Sequence, residues 1–419
     1  MMFRRGAKSD IIGGLDVGST AVRIAIGQLV PVGERVELHI IGAAEAPSEG
    51  VHRGVVTSID DTVSSISACL EKAERMTGIP IEHVWVGISG NQIISAESKG
   101  VVAVSKANGE ITEEEMERAI EAARMVATPL NYEILHVIPK SYTVDGQVGI
   151  KDPTGMTGVR LEVDTQIIQG LTSQIKNLTK AIYRTKLDID DLVLSILANA
   201  EAAVTEKQKE LGVAIINLGG ATTSLVVFEE GDLLDTAVLP IGSEHISADL
   251  AIGLRTSIDV AERLKLEYGS VLPKEVGKKE ELDLYELGSA NHEMASRKFA
   301  CEIIEARVEE IFDKIEAVFK KMGRSGRLPA GVVLTGGGAK LTGLVEFTKN
   351  KLRLPATLGY PLNITSVTDK VNDLAFTTAI GLVKWGATVQ GTAEKNELGG
   401  LISRFGAGKF SRWFKGLFP

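Results

Sequence analysis

Two short stretches of this 419-residue chain hold residue types suited to gripping an anion. Asp16, Gly18, Ser19 and Thr20 lie in "LDVGST"; Asn217, Gly219, Gly220, Thr222 and Thr223 lie in "INLGGATT". In each, glycine lets the backbone approach a phosphate closely, and backbone N–H groups with neighbouring hydroxyls can donate to anionic oxygens. Asp16 can accept from metal-bound water, and Mg²⁺ keeps several waters and is often held through few carboxylates. A third glycine turn, "VLTGGGAKLTGL", places Gly336, Gly337, Gly338 and Lys340 between an apolar strand and a helix expected at about 341–352. The start of such a helix favours anions or polar ligands. Glu262 and Lys265, in "AERLKLEYG", either complete a ribose and base pocket or form an i,i+3 surface ion pair.

The elements that must position these residues repeat. Residues 11–27 and 213–231 both read as apolar strand, polar turn, apolar strand, with Asp16 and Gly18 matching Asn217 and Gly219, 201 residues on. This suggests a duplicated fold of two α/β lobes. Two stretches rich in small residues, "SILANAEAAV" and "AFTTAIGLVKWG", suit helices that cross closely between the lobes, or ordinary buried helices. Between the halves of the first lobe lies a separate small unit. In it, "VWVGIS" reads as a strand, and a helix starts at Thr112 as N-cap with Glu115 three residues on and Pro129 as its stop. "YEILHVIP" and "SYTVDG" read as two strands, and "KDPTGMTGVRLEV" as a turn and strand. The second lobe has a helical excursion ending in a long helix from about Met294 to Met322.

Bulk composition narrows the function. The net charge of −9 argues against a general nucleic-acid binder. Cys69 and Cys301 fit neither a metal motif nor a disulfide framework and read as core residues of a protein in a reducing cytosol. No apolar run is long enough to span a bilayer, and "MMFRRGAKSD" lacks the apolar region of a signal peptide. After a polar, glycine-flanked linker at 391–400, the tail "LISRFGAGKFSRWFKGLFP" carries four basic residues and no acidic ones. Phe410, Trp413, Phe414, Leu417 and Phe418 fall on one face of a helix, with Phe405 before them and Arg412 and Lys415 among them. That pattern predicts a helix lying in an anionic membrane interface, each basic residue adding roughly 1 kcal/mol. The alternative is a terminal helix docked on the protein's own core.

In their order, "LDVGST", "INLGGATT", "AERLKLEYG" and "VLTGGGAKLTGL" resemble the actin-like ATPase superfamily. Within it, the insert "HVIPKSYTVDGQVGIKDPTGMTGVRLEV" and the terminal amphipathic segment resemble the FtsA family of bacterial cell-division proteins. The resemblance implies an α/β, two-lobed actin-like fold of duplicated ribonuclease-H-like lobes. A small α+β subdomain is inserted, and an amphipathic helix ends the chain. Expected boundaries are 10–85 with 166–210 and 375–390 for the first-lobe core, and 86–165 for the insert. The second-lobe core takes 211–250 with 330–374, its helical subdomain 251–329, and the membrane helix 401–419.

What the resemblance implies for function is a protein that binds ATP with Mg²⁺ and polymerises on the cytoplasmic face of the membrane at the septum. It would tether filaments of FtsZ by their C-terminal peptide, docked on the helical part of the second lobe, where Arg297, Lys298 and Arg307 could pair with an acidic partner. Other division proteins would meet the insert. One position departs from the family pattern: Asn217 stands where Asp is expected, keeping the shape but losing the charge. No residue is nominated to activate water, so the expectation is binding with slow or absent hydrolysis. Two alternatives are a type IV pilus assembly scaffold of the same fold and a metabolic kinase of the same superfamily. The kinase would need a catalytic Asp in the cleft and has no use for a basic tail.

Overall fold

The computed structural model describes residues 10–33, 35–125 and 128–394; the expected membrane helix and most of the linker lie outside them. The first lobe opens with β1 (Ile11–Val17), β2 (Ala21–Val32) and β3 (Arg35–Pro47), followed by α1 (Ile59–Thr77) and β4 (His83–Ile88). Helix α1 forms where Ser58 caps the Asp61 N–H and Asp60 and Asp61 meet the helix dipole; Gly78 ends it in the left-handed conformation. The insert follows as β5 (Ile93–Ala103), α2 (Glu113–Arg124), β6 (Tyr132–Val144), β7 (Gln147–Ile150) and β8 (Arg160–Leu171). The chain then returns through α3 (Thr172–Arg184), β9 (Asp188–Leu194) and α4 (Ser195–Ala203).

After α5 (Glu206–Leu211), the second lobe repeats the plan with β10 (Val213–Leu218), β11 (Thr223–Glu229) and β12 (Asp232–Leu239). Helices α6 (Ser243–Leu254), α7 (Ile258–Tyr268) and α8 (Arg297–Lys321) precede β13 (Gly331–Thr335), α9 (Leu344–Leu352) and β14 (Ala356–Leu358). A two-residue strand, β15 (Thr365–Ser366), returns to the edge of β3, and α10 (Thr377–Glu394) closes the described chain.

The sheet orders confirm the duplication. The first sheet runs β9-β4-β1-β2-β3-β15 and the second β14-β13-β10-β11-β12. In both, an antiparallel hairpin joins a parallel strand on its inner side: Asp16 pairs with Gly87 on β4, and Asn217 with Thr335 on β13. The central strands β1 and β10 are apolar along nearly their whole length, as strands covered on both faces must be. Helices α4 and α10 are also equivalents, each following the last parallel strand of its lobe, and they cross at bare backbone. A side chain at Gly381 would put its first carbon 2.0 Å from the Ala198 carbonyl oxygen. Around them Trp85, Phe376, Leu382 and Trp385 join residues of both sheets in one core, while a second core fills the space under α6 to α9.

The insert has its own four-stranded antiparallel sheet, β5-β8-β6-β7, and its own small core under α2. Three details differ from the sequence expectation. Strand β4, which includes residues 86–88, belongs to the first-lobe sheet, so the insert's own sheet begins at Ile93. "YEILHVIPKSYTV" is one strand, because Pro139 lies at a register shift opposite Thr165, where a missing N–H is tolerated. The long strand β5 has too little hydrophobic alternation to be legible, yet it pairs with β8 over its full length. Glu115 does close the start of α2: its buried carboxylate accepts from the Thr112 N–H at 3.2 Å and the Ser105 hydroxyl at 2.8 Å. Elsewhere, α10 continues to Glu394 into the expected linker, and Met294–Ser296 is a strand, so the long helix begins at Arg297.

Candidate nucleotide site

The two hairpin turns are built alike. The Gly18 N–H donates to the Ala21 carbonyl at 3.2 Å, and the Gly219 N–H donates to the Thr222 carbonyl at 3.0 Å. They also meet. A side chain at Gly220 would place its first carbon 2.3 Å from the Thr20 hydroxyl and 2.7 Å from a Glu244 carboxylate oxygen. The Ser89 and Ser224 hydroxyls, one from each lobe, lie 3.2 Å apart beside them. The duplicated turns therefore form one junction between the lobes.

Side chains in the turns differ in role. Asp16 is half-buried; burial pushes its carboxyl up to about 6, against the pull of the Arg23 guanidinium. Ser19 accepts from the Gly54 N–H at 2.9 Å, which ties the first turn to the 51–56 hairpin. Thr222 is half-buried at the second turn. Thr223 is not presented to the junction: its hydroxyl is fully buried and donates to the Ile241 carbonyl at 2.7 Å. It supports the turn from behind, because strand alternation turns it to the core.

The third glycine turn closes against the second. Gly336 has φ of 86°, and a side chain there would reach within 2.2 Å of the Asn217 Oδ1 and 2.7 Å of the Leu218 carbonyl oxygen. Gly338 packs on the Leu218 side chain, whereas Gly337 is exposed. The helix expected at 341–352 starts later: Gly337–Lys340 is a 3-10 turn, and α9 begins at Leu344 behind Gly343. No α-helix N-terminus therefore lies at the glycines. Lys340 pairs with Asp373 at 2.5 Å, just before α10.

Glu262 and Lys265 form the i,i+3 ion pair, at 2.7 Å, and the pair is also joined to the site. The Lys265 ammonium is buried and donates to the Ser247 hydroxyl at 2.8 Å and the Ser243 carbonyl at 3.2 Å. The Ser243 and Glu244 N–H groups in turn donate to the carbonyls of Gly219 and Gly220 at 2.9 and 2.8 Å. Helix α6 thus hangs its first turn on the second hairpin, and Lys265 braces that joint from α7.

A family model described as "Cell division protein FtsA" matches residues 214–381, and one described as "SHS2 domain inserted in FTSA" matches residues 90–169. A cell division protein FtsA of Bacillus subtilis is 38% identical, covering 90% of this chain and 84% of its own. That of Pseudomonas aeruginosa is 35% identical over 91% and 90%. The chain belongs to the FtsA family of cell-division proteins. Among solved structures, a PilM–PilN type IV pilus biogenesis complex aligns with a TM-score of 0.62 at 16% identity, over 89% of this chain and 97% of that one. MreB5 of Spiroplasma citri bound to ADP aligns with 0.53 at 12%, over 93% and 100%. These share the actin-like fold.

The three cations expected at the partner surface of this FtsA-family chain are not gathered into one cluster. Arg297 pairs with Glu280 at 2.6 Å and donates to the Tyr268 carbonyl, and Lys298 faces Glu302 at 4.0 Å. Arg307 lies nearly three helical turns along α8 and clasps Asp249 of α6 through two bonds, at 2.5 and 2.9 Å, with Glu310 beside it. Ile252, three residues after Asp249 on α6, is 77% exposed, and Phe299, about two turns before Arg307 on α8, is 47% exposed. Both cysteines are core residues, as expected; burial pushes the Cys69 thiol up to about 12. Among the described residues no helix is long and apolar enough to cross a membrane, and no group of three or more His, Cys, Asp or Glu could hold a metal.

Proposed function

We propose that this FtsA-family chain binds ATP with Mg²⁺ between its two hairpin turns and, in assembled form, tethers FtsZ filaments to the cytoplasmic face of the membrane at the septum. The observation that carries the nucleotide reading is the contact between Gly220 and Thr20, which brings two equivalent phosphate-type turns to one point. Asp16, Gly18, Ser19 and Thr20 act from one lobe and Asn217, Gly219, Gly220 and Thr222 from the other. Gly336 to Gly338, Lys340, Glu262 and Lys265 form the surround.

Magnesium fits this residue set. With no acidic cluster among the described residues to cage it, the ion would rest on phosphate oxygens, water and the carboxylate of Asp16, a mode Mg²⁺ commonly takes. Bound there, it would offset charge on the phosphates. Asn217 adds no second carboxylate, and its Oδ1 packs against the Gly336 turn. This supports a site that holds ATP and cleaves it slowly or not at all.

For the tether, Arg307 offers a charged centre for an acidic peptide, with apolar surface at exposed Ile252 about one turn past Asp249 on α6 and at exposed Phe299 about two turns back on α8. The peptide carboxylate exchanges for Asp249 on the guanidinium. Membrane attachment rests on the sequence of 401–419, with Phe405, Phe410, Trp413, Phe414, Leu417 and Phe418 inserted and Arg412 and Lys415 on lipid phosphates. Many weak tails on one filament add by avidity. The test is titration with the FtsZ C-terminal peptide: the full chain binds, and Arg307→Ala binds at least roughly tenfold more weakly. No binding to the full chain overturns the tether.

A further inference from the structure

Beside Asp16 lies a hydroxyl that the fold leaves without a use. Ser195, the first residue of α4, is 2% exposed, and its Oγ has no hydrogen-bond partner among the described residues. A buried hydroxyl left unpaired costs about 1–3 kcal/mol, so such a group normally meets a water or a ligand. The space it faces is kept open by Gly87. A side chain there would put its first carbon 2.8 Å from the Ser195 hydroxyl and 3.4 Å from the Asp16 Oδ1. Gly87 is an extended strand residue paired with Asp16, without a positive φ, so glycine is required there for room and not for backbone conformation.

The Asp16 carboxylate from β1, the bare Gly87 from β4 and the Ser195 hydroxyl from α4 thus converge on one small space, which the Leu382 methyl of α10 closes on its apolar side, 3.3 Å from where a Gly87 side chain would begin. Leu194, at the N-cap position of α4, makes no side-chain cap bond, so the helix's positive end adds to the field there. We propose that Ser195 is a positioning residue that holds a water against Asp16 in the space beside Gly87, and that this water belongs to the hydration shell of the Mg²⁺ accompanying the nucleotide. This rests on the nucleotide reading above. Ser195 acts through water, as partners in the outer coordination sphere do.

The test uses the full-length chain, Ser195→Ala, and a fluorescent trinitrophenyl-ATP titrated in EDTA and then at rising Mg²⁺. In EDTA the variant binds the nucleotide as wild type does, and without ligand it melts no lower, because the lost hydroxyl was unpaired. Its half-saturating Mg²⁺ rises about tenfold, the low end for losing an outer-sphere partner. Gly87→Ala, which fills the space while keeping both oxygens, shifts the Mg²⁺ requirement in the same direction. A Ser195→Ala half-saturation within twofold of wild type overturns the inference while leaving nucleotide binding standing. Absence of binding by wild type at any Mg²⁺ concentration overturns both.

Discussion

The crossing of α4 and α10 gives a prediction whose sign separates two pictures of the lobe junction. Gly381 lies inside α10, where replacing glycine by alanine ordinarily stabilises a helix by about 1 kcal/mol. Here the added carbon would lie 2.0 Å from the Ala198 oxygen and 2.5 Å from its carbonyl carbon. Both are backbone atoms of a buried helix and cannot rotate away. Relief requires the helices to separate by more than about 1 Å, since non-bonded atoms meet at roughly 3.5 Å. Ile380, Leu382 and Val383 next to Gly381 are fully buried, so the shift opens the shared core as well. Overpacking of this kind costs about 1–3 kcal/mol and more where backbone must move. The expected net effect of Gly381→Ala is a loss of about 2 kcal/mol despite the gain in propensity. Gly253→Ala in α6 is the control: its new carbon meets only the tip of the Ile303 side chain, at 2.5 Å, and should be neutral or slightly stabilising. Denaturant melts of both variants against wild type decide the matter. Gly381→Ala more stable than wild type would refute the close crossing.

Asp191 is buried at the β9–β4 pairing, and burial pushes its carboxyl up to about 7. The native state therefore favours the protonated form. Its contribution is present below the ordinary value of 3.8 and is lost as pH rises through about 7, at about 1.4 kcal/mol per unit, or up to ~4 kcal/mol. Asp191→Asn should exceed wild type in stability at pH 8 and converge with it near pH 4; equal melting at pH 8 contradicts this. His136 shows the opposite case. Burial pulls it down to about 4, and its neutral Nε2 accepts from the Leu194 N–H at 3.0 Å. That stability is full above 6.5 and is lost as pH falls from there to about 4, roughly 3 kcal/mol. His136→Gln should flatten the acid limb of the melting curve, and an unchanged limb would assign the acid loss to other groups.

Much of the site was legible because its signals are local. A glycine-centred turn between two apolar runs is a hairpin whatever surrounds it, so both turns and their equivalence could be read from Asp16–Thr20 and Asn217–Thr223. The capping box at Thr112 was legible for the same reason. What escaped depends on distant partners. That β4 joins the first-lobe sheet follows from parallel pairing to β1 and β9, which leaves no mark on its own sequence. Thr222 and Thr223 look alike as letters, and only the fold leaves one half-buried in the turn and bonds the other to the Ile241 carbonyl. Arg307 read as a free cation, because Asp249 lies 58 residues away in sequence. Ser195 gave no signal inside "SILANAEAAV"; its significance comes from Gly87 and Asp16, which only the fold brings beside it.

The central claim is that the two hairpin turns form one nucleotide clamp, and calorimetric titration of ATP with Mg²⁺ tests it most directly. Wild type should bind one ATP per chain. Gly220→Val, which drives a branched side chain into Thr20 and Glu244 at the point where the turns meet, should weaken binding at least about tenfold, or ~1.4 kcal/mol. Equal affinity in the two proteins, or no saturable binding in wild type, would contradict the account.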